Sequence, residues 1–308
     1  MATLVSNKQM VLSFEDTPLS DWFNKNRVNL TLFIVVVFGG IYALEQWPSW
    51  QAGKQAESWA LYQTISGDVD IDENLGEKLA QAEQDQLTYQ WFVYTTTRLA
   101  LQAKNTDALN ILKSHLEKIA ASAEGKTWVA NNNGQTRPIA GILLDAINGS
   151  GTSSLVFENP APSGDSYTIT ISDSKEKSYS VTVSMFPEAT VSSENFAANI
   201  EGMVGSEITN FNNISLTVEN GLPEDAPTIA IDRARLFHSA GVLCTVAGKD
   251  RDGSQKANTV QIMLEDNFYA DGQSSVFGAV TGGLEEIKEA VAGLEGEQKL
   301  TVTAVAKA

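Results

Sequence analysis

The pattern of apolar and polar positions changes character twice along the chain. Residues 28–44, VNLTLFIVVVFGGIYAL, form an apolar run without a charge. At about 1.5 Å per residue, a helix through it approaches the roughly 30 Å of bilayer hydrocarbon, and Trp47 completes the span. From Gln51 to about Ala121 apolar residues recur at spacings of three and four, which predicts helices. Ala56, Trp59, Ala60 and Ile65 mark the first, and Trp91, Tyr94, Leu99 and Leu101 a second over 87–104. Ala108, Leu109, Ile111, Leu112, Leu116 and Ile119 form the stripe of a third, capped by Asn105 or Thr106. Past residue 165 the period becomes two. Ser166 to Ile171 and Tyr179 to Phe186 alternate around a polar turn and predict a hairpin. A capping Ser192 or Ser193 then opens a helix with Phe196 and Ile200 on one face.

Between the two regimes the chain is rich in breakers, at 131–134, 149–154 and 160–164, around one short helix over 138–147. The expected organisation is multidomain: a segment 1–27, a transmembrane helix 28–47, an α-helical region 48–150, a linker 151–165 and a β-rich domain 166–308. In the last of these, Gly241 to Ala247 and Thr259 to Leu264 read as strands. They are followed by an Asp271-Gly272 turn and Val276-Phe277-Gly278.

Charge sharpens this picture. A formal charge of −17 over 308 residues argues against a nucleic-acid partner, which needs clustered Lys and Arg. Lys25 and Arg27 precede the apolar run and Glu45 follows it, so the N-terminus is expected in the cytoplasm and residues from 48 onward outside it. Trp22 and Phe23 on one side, and Trp47 and Trp50 on the other, suit the two membrane interfaces. Residues 1–27 lack the apolar run and small-residue cleavage site of a signal peptide. The single cysteine, Cys244, has no internal disulfide partner and sits in an apolar strand, as a buried inert thiol would. His115 and His238 lie far apart without neighbouring Cys or His, so no metal cluster is readable, and no pattern calls for a cofactor. The acidic pairs Glu265-Asp266 and Glu285-Glu286 read as solvated, and the serine-rich runs lack any partnered histidine, so a nucleophilic triad is not supported.

Two resemblances follow from these residues. The single anchor followed at once by an Ala-rich helix with Ala56, Trp59, Ala60 and Tyr62 resembles YfgM-type membrane proteins. Their tetratricopeptide-like helices face the bacterial periplasm beside the secretion translocon and its anchored foldase. The resemblance implies a bacterial inner-membrane protein with periplasmic C-terminal domains and protein partners. The second is carried by the hairpin ending in Phe186-Pro187, Glu194-Asn195-Phe196, His238, Gly241-Val242-Leu243, Asp271-Gly272 and Val276-Phe277-Gly278, in that order. This series resembles the cyclophilin family of peptidyl-prolyl isomerases. It implies a closed eight-stranded β-barrel with two helices, the second over 284–294, and a closing strand over 299–306.

Rotation about a peptide bond faces a barrier of about 18 to 20 kcal/mol, so an isomerase must favour the twisted amide over either planar form. In cyclophilins an arginine on the barrel's outer face donates to the proline nitrogen. Phe, Met and Leu enclose the ring, while Gln and Asn hold the backbone. Carried onto this chain, the Phe-His-Arg element falls on Phe211-Asn212-Asn213, so Asn213 stands in the arginine's place. The next strand reads Leu216-Thr217-Val218-Glu219, with Glu219 for Gln. The substrate-binding Ala-Asn pair becomes Val246-Ala247, and Gln-Phe-Phe becomes Val260-Gln261-Ile262. Tyr269-Ala270 replaces a larger aromatic and a leucine, and Ser274 replaces a histidine. Arg233 and Arg235 come too late in the chain to supply the missing cation. Loss of one preorganised donor alone costs about 2.7 to 4 kcal/mol in the transition state. The resemblance therefore implies a barrel whose isomerase site is degenerate, with a working but substituted isomerase as the alternative.

Overall fold

The computed structural model describes Trp22, residues 25–28, Phe33, residues 36–38 and residues 53–308. From the last range 133, 150–154, 156, 212, 233, 249–251 and 295–298 are excepted. Most of the 28–47 span thus lies outside the described residues, and among those described no helix is long and apolar enough to cross a membrane.

Residues 53–308 form one compact unit. The helical region comprises α1 (53–67), α2 (Leu75–Ala82), α3 (Gln86–Ala103), α4 (Thr106–Ala121) and α5 (Ala123–Thr127). A short hairpin, β1 (Val129–Asn132) and β2 (Gln135–Pro138), then leads into α6 (Ile139–Ile147). Side-chain caps fix two of the starts. Asp85 accepts from Thr88 N at 2.8 Å to open α3, and Asn105 accepts from Ala108 N at 3.0 Å to open α4, as its position in the sequence predicts. The α3 helix is central: every residue from Thr88 to Thr97 is buried, with α2 and α4 packed on it and α6 on α4. Its threonines do not break it, because Thr96 and Thr97 return their hydroxyls to the carbonyls of Phe92 and Val93, each at 2.6 Å.

The β-rich part opens with the expected hairpin, β3 (Ser166–Asp173) and β4 (Ser178–Met185). It continues through α7 (Thr190–Asn199), β5 (Glu207–Phe211), β6 (Ser215–Glu219), β7 (Ile229–Ala230), β8 (Val242–Cys244), β9 (Ser254–Gln255), β10 (Thr259–Met263), β11 (Val276–Gly282), α8 (Leu284–Ala292) and β12 (Leu300–Lys307). Eight strands close a wholly antiparallel barrel in the order β10-β6-β5-β12-β3-β4-β11-β8. This is the closed eight-stranded barrel with two helices that the cyclophilin resemblance implies. Phe196 of α7 meets Tyr167 and Phe277 with ring centroids 5.5 and 5.4 Å apart, while Ile287 and Val291 of α8 join the same core.

The cap of α7 departs from expectation. The helix begins at Thr190, so Ser192 and Ser193 lie inside it. Its free N–H groups at Val191 and Ser192 are instead satisfied by Asp232, at 2.9 and 3.1 Å, a carboxylate brought in from forty residues downstream.

The helices do not stand apart from the barrel. Ile231 and Phe237 of the β-rich part are buried in the helical core, where Phe237 stacks on Trp128. Phe157, inside the stretch read as linker, joins them against Tyr94. Asn159 clamps Phe237, accepting from its N–H and donating to its carbonyl, each at 2.8 Å. From α1, Gln55 donates to the Ile231 carbonyl, and Gln63 bridges Gly253 N and the Gln273 carbonyl at 3.0 and 3.1 Å. Gly253 and Gly272 both adopt positive φ, +78° and +75°. A Cβ on either would collide with α1, with the Ala56 carbonyl in one case and the Tyr62 ring in the other. The barrel's 252–255 and 271–273 loops are therefore seated directly on α1.

Candidate functional site

Strand periodicity decides which side chains of the barrel wall face outward. On β6 and β10, Leu216, Val218, Val260 and Ile262 fill the barrel core, leaving Thr217 and Gln261 between them on the outer face. Strand register sets Gln261 opposite Thr217 on one side and Cys244 on the other, and Thr217 opposite Thr209 of β5. Gln261 Nε2 donates to Thr217 Oγ1 at 3.1 Å, and the Cys244 thiol lies 3.9 Å from Gln261 Oε1. The outer wall thus presents Thr209, Thr217 and Gln261, all uncharged, in a row that ends at the covered Cys244. Cys244 itself is a free, buried thiol, packed outside the barrel with Phe186, Leu236, Val242, Met263 and Val276.

The residues expected to line a prolyl pocket are not brought together. Leu216 and Val260, 0% and 3% exposed, belong to the barrel core; the period of two turns them inward, which corrects their assignment to the site. Asn213 is an exposed residue of the β5–β6 turn with φ +58°, beyond the last pair, Phe211 with Ser215, and so off the sheet face where the arginine was expected. Glu219 is exposed at the end of β6. Val246 and Ala247 are half-buried on the stretch after β8, where the Val246 carbonyl accepts from Lys256 N and Ala247 bridges to Gln255. Gln261 alone keeps an outward place on the wall. Tyr269 is 53% exposed and donates its hydroxyl to Gln102 of α3 at 2.6 Å, facing the helices. Ser274 is buried beside His238.

That last pair overturns the expectation that no serine has a partnered histidine. His238 Nδ1 stands 3.1 Å from Asp271 Oδ1, and its Nε2 stands 3.2 Å from Ser274 Oγ. Separations of 33 and 36 residues hid the trio from any local motif. Asp271 is the hub of the junction with the helices. It also takes the His238 N–H at 2.6 Å and the Tyr94 hydroxyl at 2.7 Å, while its carbonyl accepts from the Tyr62 hydroxyl at 2.8 Å. Burial, aided by the Asp271 charge, raises both phenols, so they remain donors.

The order Asp-His-Ser is that of a nucleophilic triad, but the surroundings exclude the chemistry. Asp271, His238 and Ser274 are 1%, 2% and 9% exposed, and the adjoining cavity holds about 10 Å³, the space of one water. Among the described residues the trio is almost fully covered, and it acts as a structural lock between barrel and helices. Burial by itself would depress the His238 imidazole. Hydrogen bonding to Asp271, with Cys244 adding to it, outweighs burial and lifts the pKa from 6.5 to about 9. Because the folded value lies above the unfolded one, the stabilisation is complete below pH 6.5 and is lost as pH rises through 9. Thermal or urea unfolding is expected to show stability falling across that window, by up to about 3 kcal/mol. A flat profile would mean that the imidazole is neutral throughout.

No protein-family model matches the chain, and no curated protein matches it. Among solved structures, the chain is similar to the crystal structure of the Mimivirus cyclophilin. The match has 19% identity, covers 51% of this chain and 95% of that one, and has a TM-score of 0.40.

Proposed function

We propose that this chain is a membrane-anchored, extracytoplasmic protein-binding module built on a cyclophilin-like barrel whose prolyl isomerase site is degenerate. It serves either as a chaperone- or foldase-like factor near the secretion translocon of a bacterial inner membrane or as an accessory subunit of a membrane complex. Residues 28–47 anchor it, with the tetratricopeptide-like helices and the barrel on the periplasmic side. The observation that carries the non-enzymatic reading is the outer row Thr209, Thr217, Gln261 and Cys244. It offers no cation to the proline nitrogen and no apolar ring to enclose the pyrrolidine. Charge-assisted donors are roughly twice as strong as neutral ones, and none of these four side chains supplies one.

The full chain in mild detergent is expected to leave the isomerisation of an X-Pro peptide at its uncatalysed rate, a matter of tens to hundreds of seconds. Asn213→Arg is expected to change nothing, because a turn residue does not stand over the wall. Acceleration by the unmodified chain beyond about tenfold would establish the isomerase alternative; tenfold is only about 1.4 kcal/mol of barrel-provided stabilisation. Affinity purification from the same detergent separates the two binding roles, since a stoichiometric partner set marks a subunit and a broad client spectrum marks a chaperone.

A further inference from the structure

Tyr269, which the cyclophilin resemblance assigns to the prolyl pocket, belongs to a different cavity. Beside it opens a cleft of about 490 Å³, floored by Val69 and Ile71 of the α1–α2 loop and by Leu99, Gln102 and Ala103 of α3. The hydrogen bond from the Tyr269 hydroxyl to Gln102 ties the barrel's wall of this cleft to its helical wall. Phe268, next to Tyr269, stacks on it at 4.2 Å and is held from behind by the Arg98 guanidinium, 4.2 Å from its ring. The aromatic wall is thus braced, yet Tyr269 remains 53% exposed, an unusual position for a large side chain at the rim of an apolar hollow.

Acidic residues dominate the loop that forms one side of the rim. Asp70 lines the cleft, and Asp68, Asp72 and Glu73 stand in the same loop. The loop is shaped in advance: Asp70 accepts from the N–H groups of Asp72 and Glu73, and the Asn74 side chain accepts from Asp70 N and donates to the Asp68 carbonyl. Asn105 at the start of α4 donates to Asp72 and holds the loop against the helices.

We propose that this composite cleft is the docking site for a partner polypeptide segment presenting an apolar or aromatic side chain flanked by Lys or Arg. The anchor enters between Leu99 and Tyr269, and the basic residues meet the carboxylates of residues 68–73. The proposal rests on the protein-binding function above and names its site. It also gives a physical reason for joining helices to a barrel, since neither part alone supplies both walls.

The test uses the full chain in mild detergent and an array of synthetic peptides carrying Leu, Phe or Trp flanked by Lys, by Glu or by Ser. Lys-flanked peptides are expected to be retained selectively, with affinity falling as salt is raised. Tyr269→Ala and Leu99→Gln, at positions the fold leaves partly exposed, are expected to weaken retention about tenfold or more while circular dichroism shows the fold retained and melting shifts by no more than a few degrees. Retention of Lys-flanked peptides unaffected by either variant would overturn the cleft and leave protein binding intact. Equal retention of the Glu-flanked set would overturn the partner chemistry. Failure of every peptide, alongside a stoichiometric partner recovered from membranes, would overturn the cleft alone; failure of both would remove the binding function as well. Sedimentation covers the remaining occupant: a dimer of the unmodified chain that Tyr269→Ala dissociates would show the cleft filled by a second copy and would overturn the proposal.

Discussion

Asp271→Ala is expected to cost about 3 to 5 kcal/mol, the range for removing one partner of a buried ion pair. For a folded unit of this size that lowers the melting temperature by roughly 6 to 20 °C. The argument is one of connectivity. A single carboxylate, 1% exposed, holds the His238 imidazole, the His238 main chain and the Tyr94 hydroxyl, while its own carbonyl holds Tyr62. Removing it strands a raised-pKa imidazole and a phenol in a dry junction. Asp271→Asn keeps the shape and loses the charge, so it should also abolish the fall in stability between pH 6.5 and 9. Ser274→Ala, which removes only the partner of Nε2, should cost about 1 kcal/mol. Equal melting temperatures for Asp271→Ala and Ser274→Ala would show that the carboxylate is not the hub.

A fragment of residues 166–308 alone is expected not to reach a native state. The barrel closes its own hydrogen bonds, but Ile231 and Phe237, 1% and 4% exposed, are buried by the helices rather than by the strands. Returning each to water costs about 1.5 to 3 kcal/mol, and losing the Tyr94 bond to the Asp271 carboxylate costs about as much again. Against a usual stability of about 5 to 15 kcal/mol, that is a large share. The fragment should show a collapsed amide spectrum and a broad thermal transition, whereas residues 53–308 should unfold cooperatively. A dispersed spectrum from the fragment would show that the barrel folds without the helices.

Much of the architecture was legible because it follows from local periodicity. In β3, Ile169 and Ile171 alternate with Thr168 and Thr170, and in β4, Val181 and Val183 alternate with Ser180 and Thr182. The apolar set of each strand fills the barrel core, as a period of two requires. The spacing of Ala108, Leu112, Leu116 and Ile119 likewise dictated α4, together with its Asn105 cap.

The site was less legible. The resemblance implies a pocket at Leu216 and Val260, whereas the period of two turns both inward. The α7 cap came from Asp232 and not from a neighbouring serine, since a long loop can return a carboxylate to a helix terminus. The inward turn of Leu216 and Val260 is written in the strand pattern, whereas the Asp232 cap leaves no local signal.

From periodicity and composition alone came the helices, the strands and a buried Cys244 without an internal disulfide partner. These depend on spacing and side-chain type, which the chain carries within itself. The meeting of His238, Asp271 and Ser274, the seating of Gly253 and Gly272 on α1, and the turning of Tyr269 toward α3 were decided by tertiary contact. Contacts across the same junction join residues as far as about two hundred positions apart, where no periodicity reaches and only the packed interface selects the partner.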